Sequence, residues 1–161
     1  MPFTRPTTDI AKEGLFNILQ TNLDITTLKT LDLFGGTGCI SYELASRGAM
    51  DLTVIENDKH MIEFIEKTAL EFGFKHFKSV QSDVFRFLDS TPGRYDLIFA
   101  GPPYALNSID ELPKLVFKKK LLNPGGWFVL EHTPKNDYKN SAHYKTERNY
   151  GTTIFSIFIN N

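Results

Sequence analysis

The sequence predicts an α/β fold, Rossmann-like, with a mostly parallel sheet and helices on both faces. Three observations predict it. Short apolar runs alternate with helical stretches, the pattern of βαβ units. A glycine-rich turn, Gly35-Gly36-Thr37-Gly38, follows the first run. Acidic residues follow the same order: Asp32 lies in the first run, near its end, Glu56 ends the second and Asp83 stands just beyond the third.

The apolar runs cover residues 30–34, 52–56, 77–81, 95–100, 127–131 and 153–159. Helical stretches fall at 40–47, 59–72, 84–90 and 112–122. Right-handed crossovers between parallel strands place such helices on both faces. A further helix over 10–21 precedes the first strand. Thr8 or Asp9 caps it, and Ile10, Leu15, Phe16, Ile18 and Leu19 form a partial apolar stripe. Near the other end, residues 144–149 and 152–159 flank Tyr150-Gly151, which reads as a hairpin. It adds an antiparallel pair at the C-terminal edge of the sheet.

Composition bounds the rest. The chain has 161 residues and no obvious linker, so one domain over 1–161 is expected. Hydrophobic residues make up 41%, with 14 Phe, which is enough for a core. Nothing approaches the apolar length of a membrane span, and the first residues lack the apolar stretch of a signal peptide. A lone cysteine, Cys39, excludes an internal disulfide and a multi-cysteine metal site, and fits a reducing, cytoplasmic setting. No metal is expected. The net charge of −1 lacks the basic surplus common in nucleic-acid binders. Positive charge for such a partner must be local, from Lys114, Lys118, Lys119 and Lys120, or from Lys135, Lys139 and Lys145. For any one of these, a solvated surface charge is the plainer reading.

The glycine turn is the first candidate site. Glycine permits positive φ and close approach of a ligand to the main chain. The helix that follows offers N–H groups at its start. In open α/β sheets ligands bind beyond the carboxyl ends of the strands. Two ligand classes compete here. A dinucleotide site wants G-x-G-x-x-G, but Ser41 stands where the third glycine should be. S-adenosylmethionine has no phosphate and carries a zwitterionic amino acid end. Asp32 suits its ammonium, directly or through water, whereas a carboxylate so close to a pyrophosphate gains little.

Glu56 ends the second strand, where a carboxylate can accept from both ribose hydroxyls of either cofactor. Asn57 follows it, and Asp58 reads as a helix cap. Asp83, after the third strand, can cap the helix over 84–90, meet an adenine edge, or do both; Val84 or Phe85 would lie against the ring. The fourth strand runs into Gly101-Pro102-Pro103-Tyr104. Two prolines make a stiff extended segment with fixed carbonyls, and the tyrosine adds a flat face. A planar amine on an extruded or unpaired base could stack on that face while its N–H groups donate to those carbonyls.

Arg5-Pro6-Thr7-Thr8-Asp9, Glu13, residues 16–19, residues 31–38, Ser46-Arg47-Gly48-Ala49, Pro102-Pro103-Tyr104 and Glu131-His132 together carry a resemblance over nearly the whole chain. The chain resembles class I S-adenosylmethionine-dependent methyltransferases. More narrowly, it is similar to the RsmD family of bacterial small-subunit (16S) ribosomal RNA guanine-N2 methyltransferases. The resemblance implies a seven-stranded sheet in order 3-2-1-4-5-7-6 with the last strand antiparallel. It implies S-adenosyl-L-methionine as cofactor and methyl transfer to a guanine amine in ribosomal RNA, on an assembling subunit. It implies that Asp32, Gly35, Thr37 and Gly38, with Gly36 in the same turn, hold the methionine part. Glu56 and Asn57 would hold ribose and adenine, and Asp83 and Val84 the adenine edge. Thr7 and Thr8 would close over the cofactor. Gly101, Pro102, Pro103 and Tyr104 would form the catalytic loop.

Two departures stand out. The family usually has Asp before Pro-Pro, and here it is Gly101. Loss of that charged acceptor is expected to cost roughly 2–4 kcal/mol of transition-state stabilisation, so Gly101→Asp is expected to raise activity at least about tenfold. Family members also typically begin with a basic hairpin ahead of the Arg-Pro-Thr-Thr-Asp stretch, and the sequence begins at Met1-Pro2-Phe3-Thr4. Weak nucleic-acid affinity is the expectation. Alternatives are an adenine-N6 or protein glutamine methyltransferase, whose loops are similar, or a weakened cofactor-binding module in ribosome assembly. A nicotinamide dehydrogenase is a further rival, opposed by Ser41 and the Pro-Pro-Tyr loop.

Overall fold

The structure, a computed structural model, describes residues 8–161. In chain order the elements are α1 (Asp9–Asn22), a 3-10 turn (Ile25–Thr27), β1 (Lys29–Leu33), α2 (Cys39–Ser46), β2 (Asp51–Glu56), α3 (Lys59–Glu71), β3 (Phe77–Gln81), α4 (Val84–Ser90), β4 (Tyr95–Ala100), α5 (Glu111–Lys118), β5 (Leu122–His132), β6 (Tyr144–Tyr150) and β7 (Thr153–Ile159). The strands form one seven-stranded sheet in order β3-β2-β1-β4-β5-β7-β6. β1, β2, β3, β4 and β5 pair in parallel, and β7 runs antiparallel to both β5 and β6. The alternation of apolar runs and helices therefore folds as expected.

Side chains alternate across the strands and divide the core in two. Leu52, Val54, Leu97, Phe99, Trp127, Val129, Phe155 and Ile157 face one side, where α1, α2 and Ile65 of α3 cover them. Leu31, Leu33, Ile55, Ile98, Phe128, Leu130 and Phe158 face the other, covered by α4, α5 and Tyr138. Phe128, Phe155 and Phe158 have no exposed surface; burying each contributes about 1.5–3 kcal/mol.

Caps set the helix starts. Thr8 accepts from the Ala11 N–H and opens α1, Asp58 accepts from the His60 and Met61 N–H groups at α3, and Asp83 accepts from the Arg86 N–H at α4. Gly14, inside α1, has a packing reason: a Cβ there would lie within 2.0 Å of the Tyr150 hydroxyl. α1 is seated against β6 at that point.

Two adjacent elements differ most from the sequence expectation. β5 starts at Leu122, and α5 ends at Lys118 rather than running on to 122. Lys120 takes a left-handed φ of 54°, which stops the helix. Pro124-Gly125-Gly126 is an excursion within the strand. Tyr95 and Leu97 of β4 face Leu122 and Trp127 of β5, so the excess residues bulge out. Asn160 holds the bulge: its carbonyl accepts from the Gly125 N–H and its N–H donates to the Gly126 carbonyl.

Candidate active site

The carboxyl ends of β1, β2 and β4 converge on one edge of the sheet. The Ile55 carbonyl accepts from the Gly35 N–H, and the Leu33 carbonyl accepts from the Gly101 N–H at 3.4 Å. The exits of β2 and β4 are thus tied to the exit of β1. The glycine turn and the Gly101-Pro102-Pro103-Tyr104 segment become neighbours.

The turn is built under constraint. Phe34, just before it, has φ 61°, a conformation that costs a bulky residue energy and is found where a site requires it. Gly35 must be glycine because a Cβ would press within 2.4 Å of Val54 Cγ1. Gly38 is the left-handed N-cap of α2, at φ 85°, and makes no side-chain cap bond. The Gly38 N–H donates to the Gly35 carbonyl, and the Gly36 N–H to Glu56 Oε1 at 2.8 Å. These turn amides are therefore used inside the protein. The N–H groups opening α2 have no side-chain cap.

Glu56 links two loops. Its other oxygen, Oε2, accepts from the Asp58 N–H at 2.8 Å. Each oxygen keeps a lone pair for a further donor. The exposed Asn57 lies between them, and its carbonyl accepts from the Gln81 side chain. Asp83 is exposed and engaged as the cap of α4, while the Val84 side chain is buried in the core. Thr8 is exposed and caps α1; Thr7 lies outside the described residues.

Asp32 lies beneath the turn and is only 2% exposed. The buried Ser41 hydroxyl donates to its Oδ2 at 2.6 Å. Burial pushes the Asp32 carboxyl up to about 7; the Ser41 bond opposes this, and the charges of Glu56 and Glu131 add to it. A ligand meets Asp32 through its field or an intervening group rather than across open surface. Cys39, at the start of α2, has its thiol pushed up by burial and then by Asp32, which keeps it protonated and poorly nucleophilic.

In the fourth-strand loop Pro102 is buried, and Pro103 and Tyr104 are half-buried. The Pro103 carbonyl accepts from the Leu106 N–H at 3.0 Å, so one carbonyl of the stiff segment has a partner within its own loop. His132, at the end of β5, is buried. Its Nδ1 donates to the Thr133 carbonyl at 2.8 Å, so Nε2 accepts from the Ser156 hydroxyl at 2.7 Å. Burial lowers its pKa, and the ring is neutral and structural. Two residues that the sequence reading gave no role shape this region. Ser41 is a buried partner for Asp32. Glu131, 4% exposed, reaches toward Gly101. Ser41 acts across the turn it follows, nine residues from Asp32, whereas Glu131 reaches Gly101 from a neighbouring strand and leaves no local pattern. No helix of the described residues is long and apolar enough to cross a membrane.

This sheet order, a glycine turn after β1 over an acidic residue, and an acid ending β2 define a class I S-adenosylmethionine-dependent methyltransferase. The family model "Conserved hypothetical protein 95" matches residues 1–159, and the chain belongs to that family, the RsmD-like methyltransferases. The chain is 27% identical, over 97% of its length and 81% of the relative's, to the ribosomal RNA small subunit methyltransferase D of Buchnera aphidicola. The solved structure of yhhF from Escherichia coli superposes with a TM-score of 0.86, at 25% identity, over 99% of this chain and 89% of that one. An RNA methyltransferase from Salinibacter ruber, solved with S-adenosyl-L-homocysteine, shares the fold, with a TM-score of 0.76, 19% identity and coverage of 97% and 94%.

Proposed function

We propose that the chain transfers a methyl group from S-adenosylmethionine to the exocyclic N2 amine of a guanine in small-subunit ribosomal RNA. The observation that carries this reading is the Gly101–Leu33 hydrogen bond, which sets the Gly-Pro-Pro-Tyr segment beside the cofactor turn. A flat amine on that segment lies next to whatever the turn holds. The name of the Buchnera relative supports ribosomal RNA as the substrate.

The residues present fit the cofactor. Gly36 has open space where a Cβ would sit, its nearest neighbour being 3.9 Å away. The uncapped start of α2 and the turn would take the carboxylate of the methionine part, with Asp32 supplying the field for its ammonium. Glu56 would accept from the ribose hydroxyls with Asn57 beside it, and the Asp83–Val84 backbone would meet the adenine edge. Thr7 and Thr8 would approach from the N-terminal side. When bound, the cofactor supplies an activated methyl group on a sulfonium. The protein's task is then alignment: the loop over 101–104 must hold the amine in line at about 3 Å.

Transfer of tritiated methyl groups to RNA, DNA and protein fractions, with small subunits at graded stages of assembly, tests this function. Label in small-subunit RNA is expected. Label confined to DNA or protein, or none on any subunit preparation, contradicts it.

A further inference from the structure

The geometry points to Glu131 as the hydrogen-bond acceptor for the target amine, in place of the aspartate that Gly101 lacks. This rests on the function proposed above and deepens it.

Ala100 pairs with Leu130, so Gly101 leaves β4 beside Glu131, which is still in β5 and pairs there with Phe155 of β7. Val129 faces α1 and α2, and the two-residue period turns Glu131 to that same side. Asp32, in register with Val54 and Phe99, faces that side as well. A Cβ built on residue 101 would lie 3.4 Å from Glu131 Oε1 and 3.1 Å from Phe99 Cε2. A carboxylate oxygen therefore already borders the volume that an acidic side chain at 101 would enter. The Glu131 charge is also felt at Asp32 and Cys39, which places it within the electrostatic range of the cofactor turn.

The glycine then has a reason. An aspartate at 101 would bring a second carboxylate against Glu131, and like charges at that range raise one another's cost of ionisation. With glycine, a single acid serves the position from the neighbouring strand. A carboxylate acceptor in a site shielded from water also orients an amine more strongly than a backbone carbonyl can.

The step balances. The electron pair on the amine nitrogen forms the new N–C bond, and the C–S bond breaks with its pair going to sulfur. Glu131 holds one N–H during the approach. The proton that the methylated nitrogen sheds passes to its carboxylate and on to water.

Guanosine and inosine differ only in that amine, so binding of the two to the chain saturated with S-adenosylhomocysteine reads the contact without turnover. NMR titration of the parent chain should show guanosine bound about tenfold more tightly than inosine, one hydrogen bond to a charged acceptor. Glu131→Ala should erase the difference, and Gly101→Asp combined with Glu131→Ala should restore it. All three chains should stay folded and bind S-adenosylhomocysteine tightly enough to be saturated with it. Equal binding of the two nucleosides by the parent, or a preference that survives Glu131→Ala, overturns the assignment. Loss of S-adenosylhomocysteine affinity in Glu131→Ala also overturns it, since the residue is then structural. Absence of methyl transfer by the parent contradicts the proposed function instead, and the nucleoside ratio stands apart from that result.

Discussion

Ser41 donates a 2.6 Å hydrogen bond to Asp32, and both residues are buried beneath the glycine turn. The serine occupies the position where a dinucleotide-binding turn has its third glycine, and it serves there as the partner of a buried acid. The pair joins β1 to α2 and sets the charge state beneath the glycine turn.

Asp32 makes the stability of the ligand-free chain fall with rising pH. The folded state holds this proton up to about pH 7, whereas the unfolded chain releases it near 3.8. Between those values the folded state binds more protons, so stability is lost as pH rises through the window. Asp32→Asn removes the titration and should stabilise the chain by about 2–4 kcal/mol at pH 8, with little gain at pH 4. Urea unfolding at the two pH values measures this. An equal loss at both would show that the Ser41 bond outweighs burial.

Glu56 supports the site twice, through the turn and through the proposed ribose contacts. Glu56→Ala leaves the Gly36 and Asp58 N–H groups without their acceptor. It should weaken S-adenosylmethionine binding by about 1–3 kcal/mol. Calorimetry that finds unchanged affinity removes Glu56 from the site.

Gly14→Ala should destabilise the chain by about 1–3 kcal/mol, because the methyl group would collide with the Tyr150 ring. Combining it with Tyr150→Ala should recover part of the loss if α1 seats on β6 as described. Thermal unfolding of the two variants decides between this and a simple effect of helix propensity, which would make the alanine stabilising.

Gly101→Asp alone should give no gain in methyl transfer, contrary to the tenfold rise expected from sequence. The new side chain must displace Phe99 by a few tenths of an ångström and meet the Glu131 carboxylate. Initial rates on small subunits measure it. A rise of about tenfold would show that the acid at 101 is missing and not replaced.

Much of the fold was legible because its signals are local. β3, β4, β7 and α4 begin and end where the apolar runs and caps predict. Asp58 and Asp83 cap the helices they precede. The start of β5 was not legible, since Pro124-Gly125-Gly126 has the chemistry of a turn and is held in the strand by Asn160, far along the chain. The candidate site was legible as motifs but not as a circuit. The reach of Glu56 to Gly36 and of Glu131 to Gly101 depends on which strands become neighbours, and that of Ser41 to Asp32 on how α2 folds back over β1. A glycine in place of an acid reads as a loss until the neighbouring strand is in view.

The most direct test of the central claim is nucleoside mass spectrometry of small-subunit RNA after incubation with the chain and S-adenosylmethionine. The proposed function predicts N2-methylguanosine formed in proportion to enzyme and absent without cofactor. N6-methyladenosine, or unmodified RNA at every stage of subunit assembly, would contradict it.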